Sequence, residues 1–163
     1  SHFTKAVSEL GVWGAPNMWW FNVFGYIIPG MLLAACGWMI ARTESPGSRI
    51  LAGTLALSGL CITLAGLFPA DMDAMSSPTS LLHITGSVGG GLLWAIAMVW
   101  LAFLGRKTCP ALSLLCLGAL LLMLGAFFLY GYLLPGLVQR ITFAVLFAWY
   151  IAAAAILTRS RAP

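Results

Sequence analysis

Five long runs of apolar residues constrain the fold of this chain more than any other feature of its sequence. Each run has about 20 residues, the length that a helix needs to cross a hydrocarbon core of about 30 Å. The runs cover Met18–Ile40, Ile50–Phe68, Leu81–Leu104, Pro110–Leu134 and Val138–Leu157. Only 7% of the residues are charged, against about 25% in soluble domains. We therefore predict an all-α, polytopic transmembrane helical bundle with five spanning helices, and we number the runs segments one to five.

The connections between the segments are too short to hold a soluble domain. We expect one membrane domain over residues 1–163, in which residues 1–17 form a tail before segment one. Gly25 and Pro29–Gly30 predict a kink in segment one, because proline cannot donate a helical hydrogen bond. Segments four and five should form a tight antiparallel hairpin around Pro135–Gly136.

The basic residues predict how the chain is oriented in the membrane. Six of them share one side: Arg42, Arg49, Arg106, Lys107, Arg159 and Arg161. By the positive-inside rule that side is cytoplasmic, in a bacterial or archaeal cytoplasmic (inner) membrane. The N-terminus then lies outside and the C-terminus in the cytoplasm. The same placement accounts for the net charge of +4, so we expect the lipid bilayer and no nucleic acid as a partner. An outward N-terminus before five segments also leads us to expect a sixth, upstream helix.

Polar side chains within or beside the segments are scarce, and this topology places the following ones near the outer boundary of the membrane. They are Ser8, Glu9, Asn22, Asp71, His83, Gln139 and Arg140. Ionisable groups at one membrane depth tend to pair, or to serve a function. Two interpretations stay open, a functional pocket and a structural clasp.

If the cluster is a pocket, its residue types limit the chemistry that it can perform. Asp71 would orient the ring of His83, and His83 would act as a general base; these two are the candidate catalytic residues. Arg140 would hold an anionic group such as a phosphate or a carboxylate. The other candidate ligand-binding residues are Ser8, Glu9, Asn22 and Gln139. Serines are available as nucleophiles, but none lies in a recognisable elbow sequence.

No cofactor is predicted. A haem held by two histidines would need two of them within the segments, and only His83 is there, since His2 lies in the tail. The chain also offers few candidate ligands for a zinc or copper site, so we expect no metal. The four cysteines contain no CxxC pair and predict no disulfide framework.

Small residues in segment three are typical of close helix packing. Gly86 and Gly90 have the GxxxG spacing that allows two helix backbones to approach each other. The partner helix could belong to this chain, to a second copy in a homo-oligomer or to another membrane protein. The aromatic residues of segment one, Trp19, Trp20 and Tyr26 together with Trp13 before it, are expected in the interfacial belt.

Four short stretches occur in a characteristic order along the chain. They are Ser8–Gly11 followed by Ala15–Pro16, Asn22 and Gly25; Leu67–Asp71; Leu82–His83; and Gly136 with Gln139–Arg140 before Trp149. In this order they resemble the uncharacterised prokaryotic membrane family called domain of unknown function 998. The resemblance implies six helices, with one upstream of Ser1, and marks Asp71, His83 and Arg140 as motif positions. Gln139 stands where the family leads us to expect an acidic residue. The family brings no activity, cofactor or partner.

Three functions follow from these observations. The first is the binding of a lipid-like or small anionic ligand at the outer polar cluster. The second is an accessory or structural role in a larger membrane complex that docks through Gly86 and Gly90 on segment three. The third is a membrane-embedded hydrolase or transferase that uses the Asp71–His83 pair. The sequence contains no motif that compels a reaction.

Overall fold

A computed structural model describes residues 5–41, 46–128, 132 and 134–159. A 3₁₀ turn at Val7–Gly11 precedes the helices, which we number in chain order. They are α1 (Met18–Asn22), a π-helical turn (Val23–Ile27), α2 (Ile28–Ala41), α3 (Pro46–Leu67), α4 (Pro78–Thr108), α5 (Pro110–Phe128) and α6 (Pro135–Arg159). No strand occurs in these described ranges. The predicted all-α fold is therefore confirmed.

Within the described part of the chain, five helical stretches are long and apolar enough to cross a membrane. They cover Met18–Met39, Ser48–Leu67, Pro78–Thr108, Pro110–Phe128 and Pro135–Arg159. Large apolar side chains remain exposed along them, for example Leu114 and Leu121, each at 70%. A helix whose exposed surface is apolar is stable in lipid and not in water. The chain is thus a multi-pass membrane protein, as predicted.

The first crossing contains a π-helical turn where the sequence predicts a kink. The N–H of Ile28 donates to the carbonyl of Val23, five residues back, instead of four. Pro29 follows directly and has no N–H to offer to the carbonyl of Gly25. The wider turn therefore adapts the helix to the proline without ending it.

The later helices begin at prolines, and three of these helix starts differ from the predicted ones. Pro46, Pro78 and Pro135 are each the first residue of a helix, as Pro110 is. The first helical position needs no hydrogen-bond donor, so proline fits there. Helix α3 begins four residues earlier than predicted, and α4 extends beyond both of its predicted ends.

The predicted turn at Pro135–Gly136 is wrong. These residues lie in the first turn of α6, where the carbonyl of Leu134 accepts the N–H groups of Leu137 and Val138. Helix α5 ends at Phe128 rather than at Leu134. Residues 129–131 and 133 lie outside the described part of the chain, as do Arg42, Arg161 and His2.

The contacts divide the chain into two compact units. The N-terminal unit is Ser8–Trp94, and the C-terminal unit combines Ser1–Val7 with Ala95–Pro163. Helices α2 and α3 pack closely within the N-terminal unit. A Cβ at Gly59 would overlap the backbone nitrogen of Ala34, and one at Gly37 would lie 2.6 Å from the Cβ of Leu55. Small residues on both helices therefore bring the two backbones together.

Candidate functional site

A buried amide connects the N-terminal segment to the first membrane helix. Asn22 is 0% exposed, and its Nδ2 donates to the carbonyl of Gly11 at 2.8 Å. A Cβ at Gly11 would collide with Oδ1 of Asn22. The glycine hydrogen in that direction therefore points at Oδ1, a weak C–H···O contact for an oxygen that accepts no N–H or O–H from the described residues. Gly11 and Asn22 form a two-point clasp that excludes any side chain at residue 11.

A second backbone link joins the same segment to the loop after α3. The N–H of Trp13 donates to the carbonyl of Ala70 at 2.9 Å. Ser8 and Glu9 lie half-buried in the 3₁₀ turn that precedes this link. The segment before α1 thus packs against other residues of the N-terminal unit.

The hydroxyl of Ser80 organises the loop that contains Asp71. Ser80 is 0% exposed, and its Oγ accepts the N–H of Asp71 at 2.8 Å. The same hydroxyl lies within donating distance of the carbonyls of Ala74, at 3.1 Å, and Asp71, at 3.3 Å. Oγ of Ser77, just before α4, accepts the N–H of Ser80 at 3.3 Å, as an N-cap does. This buried, bonded hydroxyl indicates a structural role for Ser80.

The ring of His83 bonds to the end of α3. Its Nδ1 lies 2.8 Å from the carbonyl oxygen of Ala65. Because a carbonyl only accepts, Nδ1 carries the proton, and in the neutral ring Nε2 is then an acceptor. Tyr26 packs edge to face on the His83 ring, with 5.7 Å between the two ring centroids. Tyr26 is 2% exposed and belongs to this contact, whereas Trp19 and Trp20 are exposed.

Asp71 and His83 do not form the pair that the sequence predicted. Among the described residues, no hydrogen bond or ion pair joins them. Oδ1 of Asp71 instead accepts the N–H of Asp73 at 3.0 Å, which is a local turn. His83 lies in the second turn of α4 and faces α3, while Asp71 belongs to the loop tied to Ser80. Both residues have backbone partners that stabilise the fold.

Gly86 and Gly90 pack against α3 of their own unit. A Cβ at Gly86 would lie 2.6 Å from the carbonyl oxygen of Cys61, and one at Gly90 would lie 2.8 Å from Cδ1 of Ile62. Ser58, on α3, donates to the carbonyl of Gly90 at 2.8 Å. The proposed docking of a partner through these two glycines is therefore wrong, because α3 already covers them. Ser58 was missed at the sequence level, since nothing in its local sequence shows which carbonyl it reaches.

Arg140 is the polar candidate best placed to bind a ligand, and it lies in the C-terminal unit. It is half-buried, and its Nη1 donates to the carbonyl of Gly136 at 2.7 Å and to that of Lys5 at 3.4 Å. The other guanidinium nitrogens, Nε and Nη2, bond to none of the described residues. Gln139, beside it, is also half-buried. As far as the described part of the chain goes, one edge of the Arg140 fork is therefore open to two oxygens on one centre.

An apolar groove of about 550 Å³ lies between α5 and α6 in the same unit. Its lining includes Gly118 and Leu122 of α5 and Ala144, Ala148 and Ala152 of α6. The sequence did not reveal it, because these residues look like any others in an apolar segment. The described residues contain no group of three or more His, Cys, Asp or Glu side chains that could hold a metal ion.

The fold defines a class of protein, a multi-pass helical membrane protein. The chain belongs to the family described as "Protein of unknown function (DUF998)", whose family model matches residues 1–156. The resemblance noted from the sequence is thereby confirmed. Searches of curated proteins and of solved structures gave no match.

Proposed function

We propose that this membrane protein binds an anionic lipid-like ligand through the guanidinium of Arg140. The supporting observation is that Nη1 is anchored by the carbonyls of Gly136 and Lys5 while Nε and Nη2 bond to none of the described residues. An anchored guanidinium loses little further side-chain entropy on binding, and its remaining edge matches a carboxylate or a phosphate.

The charge distribution favours an anion over any other ligand at this position. Residues 1–7 and 95–163, which make up the C-terminal unit, contain no Asp or Glu. Lys5, whose carbonyl accepts from Arg140, adds a second positive charge to the same part of the unit. An anion at Arg140 would therefore meet no carboxylate of this unit that competes for the guanidinium.

The position of Arg140 favours a ligand that comes from the bilayer. Arg140 lies in the second turn of α6, a helix that is apolar over most of its remaining length. Arginine near the end of a membrane helix extends toward the head-group region, where lipid phosphates and carboxylates lie. The same chemistry would take a free anion from water, so the experiment must separate the two sources.

Native mass spectrometry of protein extracted gently from its own membrane tests this function. We expect a bound mass of a few hundred daltons in the unmodified protein, lost in Arg140→Gln and partly kept in Arg140→Lys. Arg159→Gln is the matched control, because it removes the same charge from the last turn of the same helix. A lipid mass identifies the bilayer as the source, and a small inorganic mass identifies water. The proposal fails if no mass is bound, or if Arg140→Gln and Arg159→Gln retain the same mass equally while both remain folded.

A further inference from the structure

We infer that the groove between α5 and α6 holds one acyl chain of this ligand, which makes the ligand a single-chain anionic amphiphile or one chain of an anionic lipid. The inference rests on the proposed function for the head group and adds a separate site for the tail. A volume of about 550 Å³ lies within the range of about 300–1,000 Å³ that is typical of small-ligand sites.

Arg140 begins a stripe of side chains on α6 that leads into the groove. Arg140, Ala144, Ala148 and Ala152 recur at every fourth position. Side chains four residues apart are neighbours on a helix, and the stripe that they form winds around the helix by about 40° at each step. The last three line the groove. A ligand whose anionic head is bound at Arg140 can therefore extend its chain along the same stripe.

The length of the stripe matches one lipid leaflet. Arg140 and Ala152 are separated by 12 positions, which corresponds to about 18 Å at about 1.5 Å per residue. One leaflet contributes about 15 Å, half of a hydrocarbon core of about 30 Å. An acyl chain anchored at Arg140 would thus end near Ala152, at the far end of the groove.

Small side chains create the space that a chain would fill. Gly118, Ala144 and Ala148 leave room between the two helices, and larger residues such as Leu122 bound it. Bulk lipid tails are as apolar as this lining, so the groove gains little from the hydrophobic effect. Packing contacts and the ionic head group must therefore select the occupant. Charge complementarity with Arg140 favours an anionic amphiphile over a neutral lipid or a second helix.

Photolabelling of the protein in phosphatidylcholine nanodiscs tests the tail site. The probe is hexadecanoic acid with a diazirine in the middle of its chain, and labelled peptides are mapped by mass spectrometry. We expect label on residues 114–122 and 144–152, reduced about tenfold in Arg140→Gln, because a charge-assisted bond is lost. The neutral probe hexadecanol with the same diazirine should give no enrichment there.

A matched pair of substitutions separates the groove from the rest of the lipid-facing surface. Gly118→Leu fills the groove, while Gly125→Leu makes the same change on α5 outside the lining; a Cβ at either glycine meets nothing within 4 Å. We expect the label to fall only in Gly118→Leu. Equal labelling of both variants, or label spread evenly over the membrane helices, overturns the tail site.

The same variants separate the tail site from the head-group site. If ligand retention depends on Arg140 but not on Gly118, the tail site fails and the head-group proposal stands. If retention depends on neither residue, both proposals fail. A dimer that dissociates in Gly118→Leu would assign the groove to a second copy instead.

Discussion

At the scale of single residues, His83 and Asn22 show how polar side chains in a membrane protein satisfy backbone groups. The last carbonyls of a helix have no partner within the helix, and the carbonyl of Ala65 near the end of α3 receives its donor from Nδ1 of His83. Asn22 donates to the carbonyl of Gly11 in the same way. Because Gly11 and Ala65 are buried, each of these carbonyls would otherwise remain unsatisfied at considerable cost.

Two substitutions at His83 should therefore differ in stability. His83→Asn places an amide nitrogen near the position of Nδ1 and can keep the bond to Ala65, while His83→Leu leaves that carbonyl without a donor. We expect His83→Leu to lower the free energy of unfolding by about 1–3 kcal/mol more than His83→Asn does. Unfolding in detergent by denaturant titration measures the difference. Equal losses in the two variants would show that the bond to Ala65 does not stabilise the fold.

The polar candidates could be predicted from the sequence, but their partners could not. Scarcity within apolar segments singled out Asn22, Asp71, His83 and Arg140. The side chains of all four bond to backbone groups, which belong to Gly11, Asp73, Ala65 and Gly136. Every residue has a carbonyl, so no sequence pattern shows which one a side chain will reach. The predicted Asp71–His83 pair assumed that side chains pair with each other, and in this structure the backbone competes successfully.

At the scale of helices, the apolar runs predicted all five crossings and misplaced several of their ends. Hydropathy locates only the apolar part of a helix, and a helix can continue beyond that part with polar residues. Helix α4 does so at both ends, with Pro78–Ser80 and Gly105–Thr108. The better signal was proline, because Pro46, Pro78, Pro110 and Pro135 each open a helix. Reading those prolines as helix starts would have corrected the turn expected at Pro135–Gly136.

The contact between α3 and α4 provides a prediction at this scale. In Gly86→Ala the new methyl group would meet the backbone of α3, 2.6 Å from the oxygen of Cys61. Backbone cannot move aside as a flexible side chain can, so we expect a loss of about 1–3 kcal/mol. Gly91→Ala, on the same helix with nothing within 4 Å of its Cβ, should be neutral or gain up to about 1 kcal/mol from helix propensity. Thermal unfolding followed by circular dichroism compares them, and similar midpoints for the two variants would contradict the close packing.

At the scale of the whole molecule, the orientation expected from the basic residues can be tested directly. In a variant whose four native cysteines are replaced by alanine, Asp73→Cys and Lys107→Cys place single thiols at exposed positions beyond opposite ends of the apolar stretch of α4. A membrane-impermeant maleimide on intact cells should label residue 73, and should label residue 107 only after permeabilisation. The reverse pattern would invert the topology and move the proposed head-group site at Arg140 to the cytoplasmic face.

The π-helical turn at Val23–Ile27 has a consequence for insertions and deletions in this family. Removing one residue from a regular helix rotates everything beyond it by about 100°, which would turn a face such as that of Asn22 away from its partner. A π turn already holds one residue more than the α-helical path requires. Losing one residue there would convert the turn to α-helix and leave the flanking faces in register. Single-residue gaps among relatives should therefore concentrate at this turn, and the remainder of the first crossing should keep its length.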